Sequence, residues 1–217
     1  MTLPPRIALA THNPHKIREL TRICADWPVE WATVRTDDPA LFPDVDETGA
    51  TYLENAVLKA TAVARASGLP ALADDSGIEV DALGGRPGPR SARYAGPDAS
   101  DERNLAELIR AIRGVPAAGA TARYRCVAVL AAGEGGDLVH AEGVCEGTLV
   151  TKPRGTDGFG YDPIFVPEGG ARTMAELGDA EKDALSHRGR ACRAMLPVLG
   201  SALRADPLAG GGGGMRE

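Results

Sequence analysis

At 217 residues, with a formal charge of −6 and four scattered cysteines, the chain has the size of one ordinary domain with a substantial core. The acidic balance excludes broad nonspecific binding to nucleic acid, which needs a basic surface. No apolar run approaches the ~20 residues of a membrane span, and the Met-Thr-Leu-Pro-Pro-Arg start lacks a signal-peptide layout. Cys24, Cys126, Cys145 and Cys192 include no CxxC pair and read as the reduced thiols of a cytoplasmic protein.

Of the 24 basic residues 20 are arginine, so the positions of Lys16, Lys59, Lys152 and Lys182 are informative: lysine supplies a compact point charge where a planar fork does not suit. Arg6 to Thr11 is predicted as a first strand, and Asn13 as the N-cap of a helix with Pro14 at its first position. A strand, a tight turn and a helix N-terminus make an anion site, and Lys16 there opposes the macrodipole unless an anion is bound. An ordinary capped helix with an exposed lysine fits the same residues. Val29 to Val34 reads as a second strand and Thr51 to about Ala66 as a long helix. On that helix Asn55 and Lys59 share a face with Tyr52, while Ala56, Ala60 and Val63 mark the packing side. The acidic loop between them, with Asp44, Asp46 and Glu47, suits either metal ligation or simple solvation.

The central stretch runs Leu69 to Ala73, then Asp74-Asp75-Ser76-Gly77. It is predicted as a strand that ends in two carboxylates and a Ser-Gly turn. Such an end can hold Mg²⁺, which takes one or two carboxylates and leaves its other positions to water and phosphate; a solvated turn has the same sequence pattern. Gly84, Gly85 and Gly88, interleaved with Pro87, Pro89, Arg86, Arg90 and Arg93, suit a loop that approaches phosphate closely.

Ser100 is predicted to cap a scaffold helix from Asp101 to about Arg113, and Thr121 to Ala131 to form a strand returning through Leu138 to Val150. Arg123 and Arg125 on it suit a cleft or a partner subunit. Phe159, between Gly158 and Gly160, suits stacking on a planar base or plugging a loop. Helical pieces follow at Thr173 to Leu177 and Asp179 to Leu185. Ser186 then caps a last helix reaching about Arg204, whose first turn carries His187 and Arg188, two potential cations that suit ligand contact. The glycine-rich tail 206–217 is predicted to be disordered, leaving one domain over 1–205.

Taken in order, Thr11-x-Asn13-x-x-Lys16, Glu54-Asn55-Ala56-x-x-Lys59-Ala60, Ala73-Asp74-Asp75-Ser76-Gly77, Leu83-Gly84-Gly85-x-Pro87-Gly88, Ser91-Ala92-Arg93-Tyr94, Gly158-Phe159-Gly160-Tyr161-Asp162-Pro163 and Ser186-His187-Arg188 carry a resemblance. Over about residues 6 to 204 the chain resembles the inosine/xanthosine triphosphate pyrophosphatases, house-cleaning enzymes that cleave deaminated purine nucleoside triphosphates to the monophosphate and pyrophosphate. The resemblance implies an α/β fold, an elongated twisted mixed sheet flanked by helices, in two lobes around an active-site cleft. It also implies Mg²⁺ dependence and a homodimer. Carried onto this chain, Thr11, His12, Asn13, Pro14, His15, Lys16 and Lys59 hold the triphosphate, Asp75 is general base and metal contact, and Ser76 touches substrate. Phe159, Gly160, Tyr161, Asp162, Lys182, His187 and Arg188 hold the purine. Asp46, which stands where many relatives have glutamate, is expected as a second metal contact; Glu47 and Glu54 are the other candidates.

On this reading a water attacks the α-phosphorus, and Asp75 either takes its proton or orients a metal-bound water. Arg188 and His187, as donors, match the oxygen at position 6 of hypoxanthine and xanthine and mismatch the adenine amine. A pyrophosphatase of other modified bases, such as methylated pyrimidines, and a nucleotide-sensing module without catalysis are the competing readings.

Overall fold

The computed structural model describes residues 4–116, 120–133 and 135–202; the tail 206–217 and the expected domain limit at 205 lie outside them. Six strands, β1 (Arg6–Leu9), β2 (Glu30–Ala32), β3 (Ala71–Val80), β4 (Thr121–Ala131), β5 (Leu138–Leu149) and β6 (Phe165–Pro167), form one sheet in the order β2-β1-β3-β4-β5-β6. β1 lies parallel to β2 and β3, and the pairs from β3 to β6 are antiparallel. Among the described residues five α-helices flank it: α1 (Pro14–Ile23), α2 (Tyr52–Ser67), α3 (Asp101–Ala111), α4 (Asp179–Leu185) and α5 (His187–Ala202). The mixed α/β class is as the sequence implied.

Period-two alternation on β3 and β4 sorts side chains to opposite faces. Leu72, Cys126, Ala128 and Leu130 pack under α1 and α5 with Leu20, Cys192 and Met195. Ala71, Ala73, Val127 and Val129 pack under α2, whose Ala56, Ala60 and Ala64 let it lie close to the sheet. Beyond them Ile78, Val80, Ala122 and Tyr124 build a third cluster with Leu108 of α3, Phe165 and Met174. β3 and β4 therefore run through all three clusters.

β3 does not stop at its acids. It continues through Asp74 and Asp75 to Val80 and pairs with β4 along its whole length. Acids are poor strand formers, which is why the sequence suggested an end there; the compensation comes from distant cations. Gly77 is needed not for a turn but for packing: a Cβ there would lie 2.4 Å from the Gly88 carbonyl oxygen. The arginines of β4 are spent on the sheet surface, Arg123 on Asp81 and Glu146, Arg125 on Glu79 and Glu142.

Candidate active site

A cleft of about 310 Å³ opens at the level of Asp75. Thr11, His12, Asn13, Lys16, Lys59, Asp75, Ser76, Phe159, Gly160, Tyr161, Asp162, Lys182, His187 and Arg188 all line it. Pro14, His15 and Asp46 are not among its lining residues, nor are Arg86 and Arg90 of the glycine-rich loop.

Six segments deliver these groups: the β1–α1 turn, α2, β3, the 159–162 turn, α4 and α5. The β1–α1 turn brings Lys16, with Asn13 Oδ1 capping the helix by accepting the N–H groups of His15 at 2.8 Å and Lys16 at 3.3 Å. Pro14 has no N–H and Ile17 donates to the Asn13 carbonyl, so the first-turn amides expected to hold an anion already have partners. The Lys16 ammonium is this segment's cationic group for a phosphate. Helix α2 starts from a capping box in which the Glu54 carboxylate accepts the N–H of Thr51 and the Thr51 hydroxyl accepts that of Glu54. Glu54 is thus employed as a cap and does not line the cleft. One turn on, Lys59 reaches over β3.

Adjacent residues on a strand face opposite ways, and this divides the acid pair. Asp74, 1% exposed, turns toward α1 and α5, where Lys16 Nζ approaches its Oδ2 at 3.1 Å and Arg188 Nη2 at 3.0 Å. Burial alone would raise the Asp74 pKa, but Lys16 and Arg188 hold it well below the usual carboxylate range. Asp75 turns toward α2: Lys59 Nζ donates to its Oδ1 at 3.1 Å and Asn55 Nδ2 to its Oδ2 at 3.3 Å. Burial outweighs Lys59 and Lys16 there and raises the Asp75 pKa above the ordinary value. Asp75 alone of the pair lines the cleft. The acids thus do not act as one chelating pair.

In the acidic loop Asp46 is exposed, while Glu47 lies in the cleft. Lys59 Nζ bonds Glu47 Oε1 at 2.8 Å as well as Asp75, and Arg93 Nη1 holds the other Glu47 oxygen at 3.1 Å. Among the described residues no three His, Cys, Asp or Glu side chains converge as a metal cage. Two carboxylates sharing one ammonium is what this site presents to a cation.

Phe159 sits half-buried between Gly158 and Gly160, both at positive φ, with its ring stacked on His15 at 5.0 Å. Asp162 fixes this turn by accepting the Phe159 N–H at 2.9 Å. A Cβ on Gly158 would lie 2.1 Å from Asp162 Oδ2, so glycine is needed on steric as well as conformational grounds. Lys182 Nζ joins Asp162 and Glu19, each at 2.6 Å, and lies 5.1 Å from the Phe159 centroid. Arg188 donates to Asp74 through Nε and Nη2, to Ser76 through Nη2 and to Glu19 through Nη1, which leaves one of its five N–H donors free. His187 is not a cation: burial and the neighbouring Arg188 push its pKa well down, and its ring stacks on Tyr124 at 4.6 Å. The basic helix tip is therefore one buried guanidinium, neutralised by Asp74 and Glu19, and one neutral imidazole. It can sit against the sheet because β5 carries glycine at 143, where a Cβ would come within 2.0 Å of the His187 carbonyl oxygen.

The Ham1 family sequence profile matches residues 7–198. The chain belongs to the Ham1 family. Among Ham1 relatives, it is 50% identical over 194 residues to the dITP/XTP pyrophosphatase of Streptomyces avermitilis, covering 89% of this chain and 96% of that one. With the dITP/XTP pyrophosphatase of Methylococcus capsulatus it shares 47% over 202 residues, covering 92% and 96%. Of solved Ham1 structures, the protein from Coxiella burnetii superposes with TM-score 0.80 at 38% identity over 91% of this chain and 99% of that one. The nucleoside-triphosphatase / dITP/XTP pyrophosphatase from Mycobacterium abscessus gives TM-score 0.69 at 42% identity, covering 88% and 99%.

Several groups of this Ham1 site escape a reading of the sequence alone. Glu19, buried on α1, joins Lys182 and Arg188; Tyr124 donates to Asp162 at 3.1 Å; Asp101 accepts the Gly160 N–H at 3.1 Å from the start of the helix read as scaffold. An apolar helix face with a glutamate on its border was the sole signal for Glu19, and its partners lie more than 160 residues away.

Proposed function

We propose that the cleft hydrolyses dITP, ITP and XTP, with Mg²⁺, to the nucleoside monophosphate and pyrophosphate, and so clears deaminated purine nucleotides from the pool. The half-identical Ham1 relatives named dITP/XTP pyrophosphatases place the activity in this class. The observation that carries the reading to this chain is one cleft lined by Lys16, Lys59 and Asp75 together with Phe159, Lys182 and Arg188.

Glu47 and Asp75 suit Mg²⁺: both offer hard oxygen donors, and the Lys59 ammonium between them marks a place built for positive charge. When bound, the ion neutralises phosphate oxygens and makes a coordinated water more acidic. Lys16 and Lys59, each now on a carboxylate, exchange it for phosphate oxygens, a displacement that needs positioning and charge neutralisation above all. Asp75, its pKa raised by burial, is a better proton acceptor than an exposed aspartate and orients the attacking water. Phe159 stacks on the purine. The remaining Arg188 N–H and the neutral His187 meet the position-6 oxygen, which adenine replaces with a donor.

The same proposal takes the enzyme as a cytoplasmic homodimer. No described helix is long and apolar enough to cross a membrane, and all four cysteines are buried and unbridged. The deciding measurement is pyrophosphate release from ITP, dITP, XTP, dGTP and ATP with and without Mg²⁺. Metal-dependent release from the first three, well ahead of ATP, is expected; equal rates on all five, or none on any, defeats the reading.

A further inference from the structure

The Glu54-Asn55-Ala56-x-x-Lys59-Ala60 segment of α2 is accounted for except at one position. Glu54 caps the helix, Ala56 and Ala60 pack on the sheet, and Lys59 bridges two carboxylates. Asn55 is 0% exposed and does not line the cleft. Its Nδ2 donates to Asp75 Oδ2 at 3.3 Å, and its Oδ1 accepts the Gly49 N–H at 2.8 Å.

We infer that Asn55 is a positioning residue that ties the acidic loop bearing Glu47 to Asp75 and fixes which Asp75 oxygen faces metal and water. The inference rests on the Mg²⁺-dependent reading above. The two Asp75 oxygens have different partners. Oδ1 is held by Lys59, a long side chain with a second task on phosphate, so that bond is exchangeable. Oδ2 is held by a short amide sealed in the helix–sheet interface, which cannot follow the substrate. When Lys59 turns to a phosphate, Oδ2 stays tethered and Oδ1 is released.

The Asn55 amide does both jobs through two separate atoms. The Gly49 N–H can only donate and the Asp75 carboxylate can only accept, so the linker must present one acceptor and one donor. Aspartate lacks the donor and leucine lacks both. The loop comes this close because residue 49 has no side chain: a Cβ there would lie 2.7 Å from Asn55 Oδ1. At its other end the loop is pinned by Arg93, which donates to the Glu47 carboxylate at 3.1 Å and to its carbonyl at 3.2 Å. The spacing of Glu47 from Asp75 is thus set by Arg93 on one side and Asn55 on the other.

The test compares the parent with Asn55→Ala and Gly49→Ala, which both break the Gly49–Asn55 bond, Asn55→Ala removing the bond to Asp75 as well. Mn²⁺ is titrated by EPR with the α,β-imido analogue of ITP bound, alongside kcat and KM for ITP and the Tm. Both variants are expected to weaken Mn²⁺ binding and lower kcat by about 10- to 100-fold, with KM within about threefold of the parent. The double variant should be no worse than Asn55→Ala, which already loses the bond that Gly49→Ala disturbs. A fallen Tm with Mn²⁺ affinity and kcat within about threefold of the parent would make Asn55 merely structural and overturn the proposal. If Asn55→Ala fails to fold, Gly49→Ala carries the test by the same criteria. A parent inactive on ITP overturns the functional reading, and Asn55 then stands or falls on the Mn²⁺ titration alone.

Discussion

Arg188 Nη2 lies 3.0 Å from the Asp74 carboxylate, and the two groups are 2% and 1% exposed. Removing the Asp74 charge leaves the buried Arg188 with Glu19 as its remaining carboxylate and takes away the acid that faces Lys16, at a cost of up to about 3–5 kcal/mol. Asp74→Asn is therefore expected to lower the Tm by roughly 6–20 °C for a chain of this size. Asp75→Asn, by contrast, should keep most of the stability and lose turnover. Thermal melts and pyrophosphate release on both variants check the contrast, and similar profiles for the two would contradict the division of the acid pair.

Glu19 gives the fold a sensitivity to acid. Burial would raise its pKa, but Arg188 and Lys182 outweigh that and bring it from 4.5 to about 2. The folded value lies below the unfolded one, so the stabilisation is complete above pH 4.5 and disappears as pH falls toward 2. Its size is on the order of 3 kcal/mol. Urea unfolding across that window should show the loss, and Glu19→Gln should be less stable at pH 7 yet flatter below pH 4.5. An unchanged slope in the variant would place the acid sensitivity elsewhere.

Phe159 reports on the base rather than on the fold. Stacking on an aromatic ring contributes about 1–3 kcal/mol per base, so Phe159→Ala should raise KM for ITP by roughly 5- to 150-fold. The ring is half-buried, and the Tm should move little. Steady-state kinetics with ITP and melting of the same preparation separate the two effects; a large drop in Tm with unchanged KM would make the ring a loop plug.

Much of this was legible locally. The Asn13 cap with Pro14 behind it, the Thr51/Glu54 capping box and the β4 limits at Thr121 and Ala131 follow from signals within a few residues. The groups of the cleft could be named because their motifs are contiguous. What stayed hidden was decided across the chain. Asp74 and Asp75 looked like a strand end because nothing nearby pays for acids in a strand; Lys16, Lys59, Asn55 and Arg188 do so from three helices. His187 and Arg188 looked like two cations awaiting a ligand at a helix tip because the partners that bury them, Tyr124, Glu19 and Asp74, lie far back in sequence. Asp46 stood out against Glu47 only by spelling, whereas the backbone of the loop decides which of them enters the cleft.

β3 is laddered to β4 through all ten of its residues, and it enters the cores on both sides of the catalytic level with Leu72 in one and Ile78 in the other. The floor of the cleft is for this reason a spine common to both halves of the molecule, with no joint at Asp75. On the proposed reading, fitting bases as different as hypoxanthine and xanthine falls to the rim, where the glycine-bracketed Phe159 stands outside the sheet.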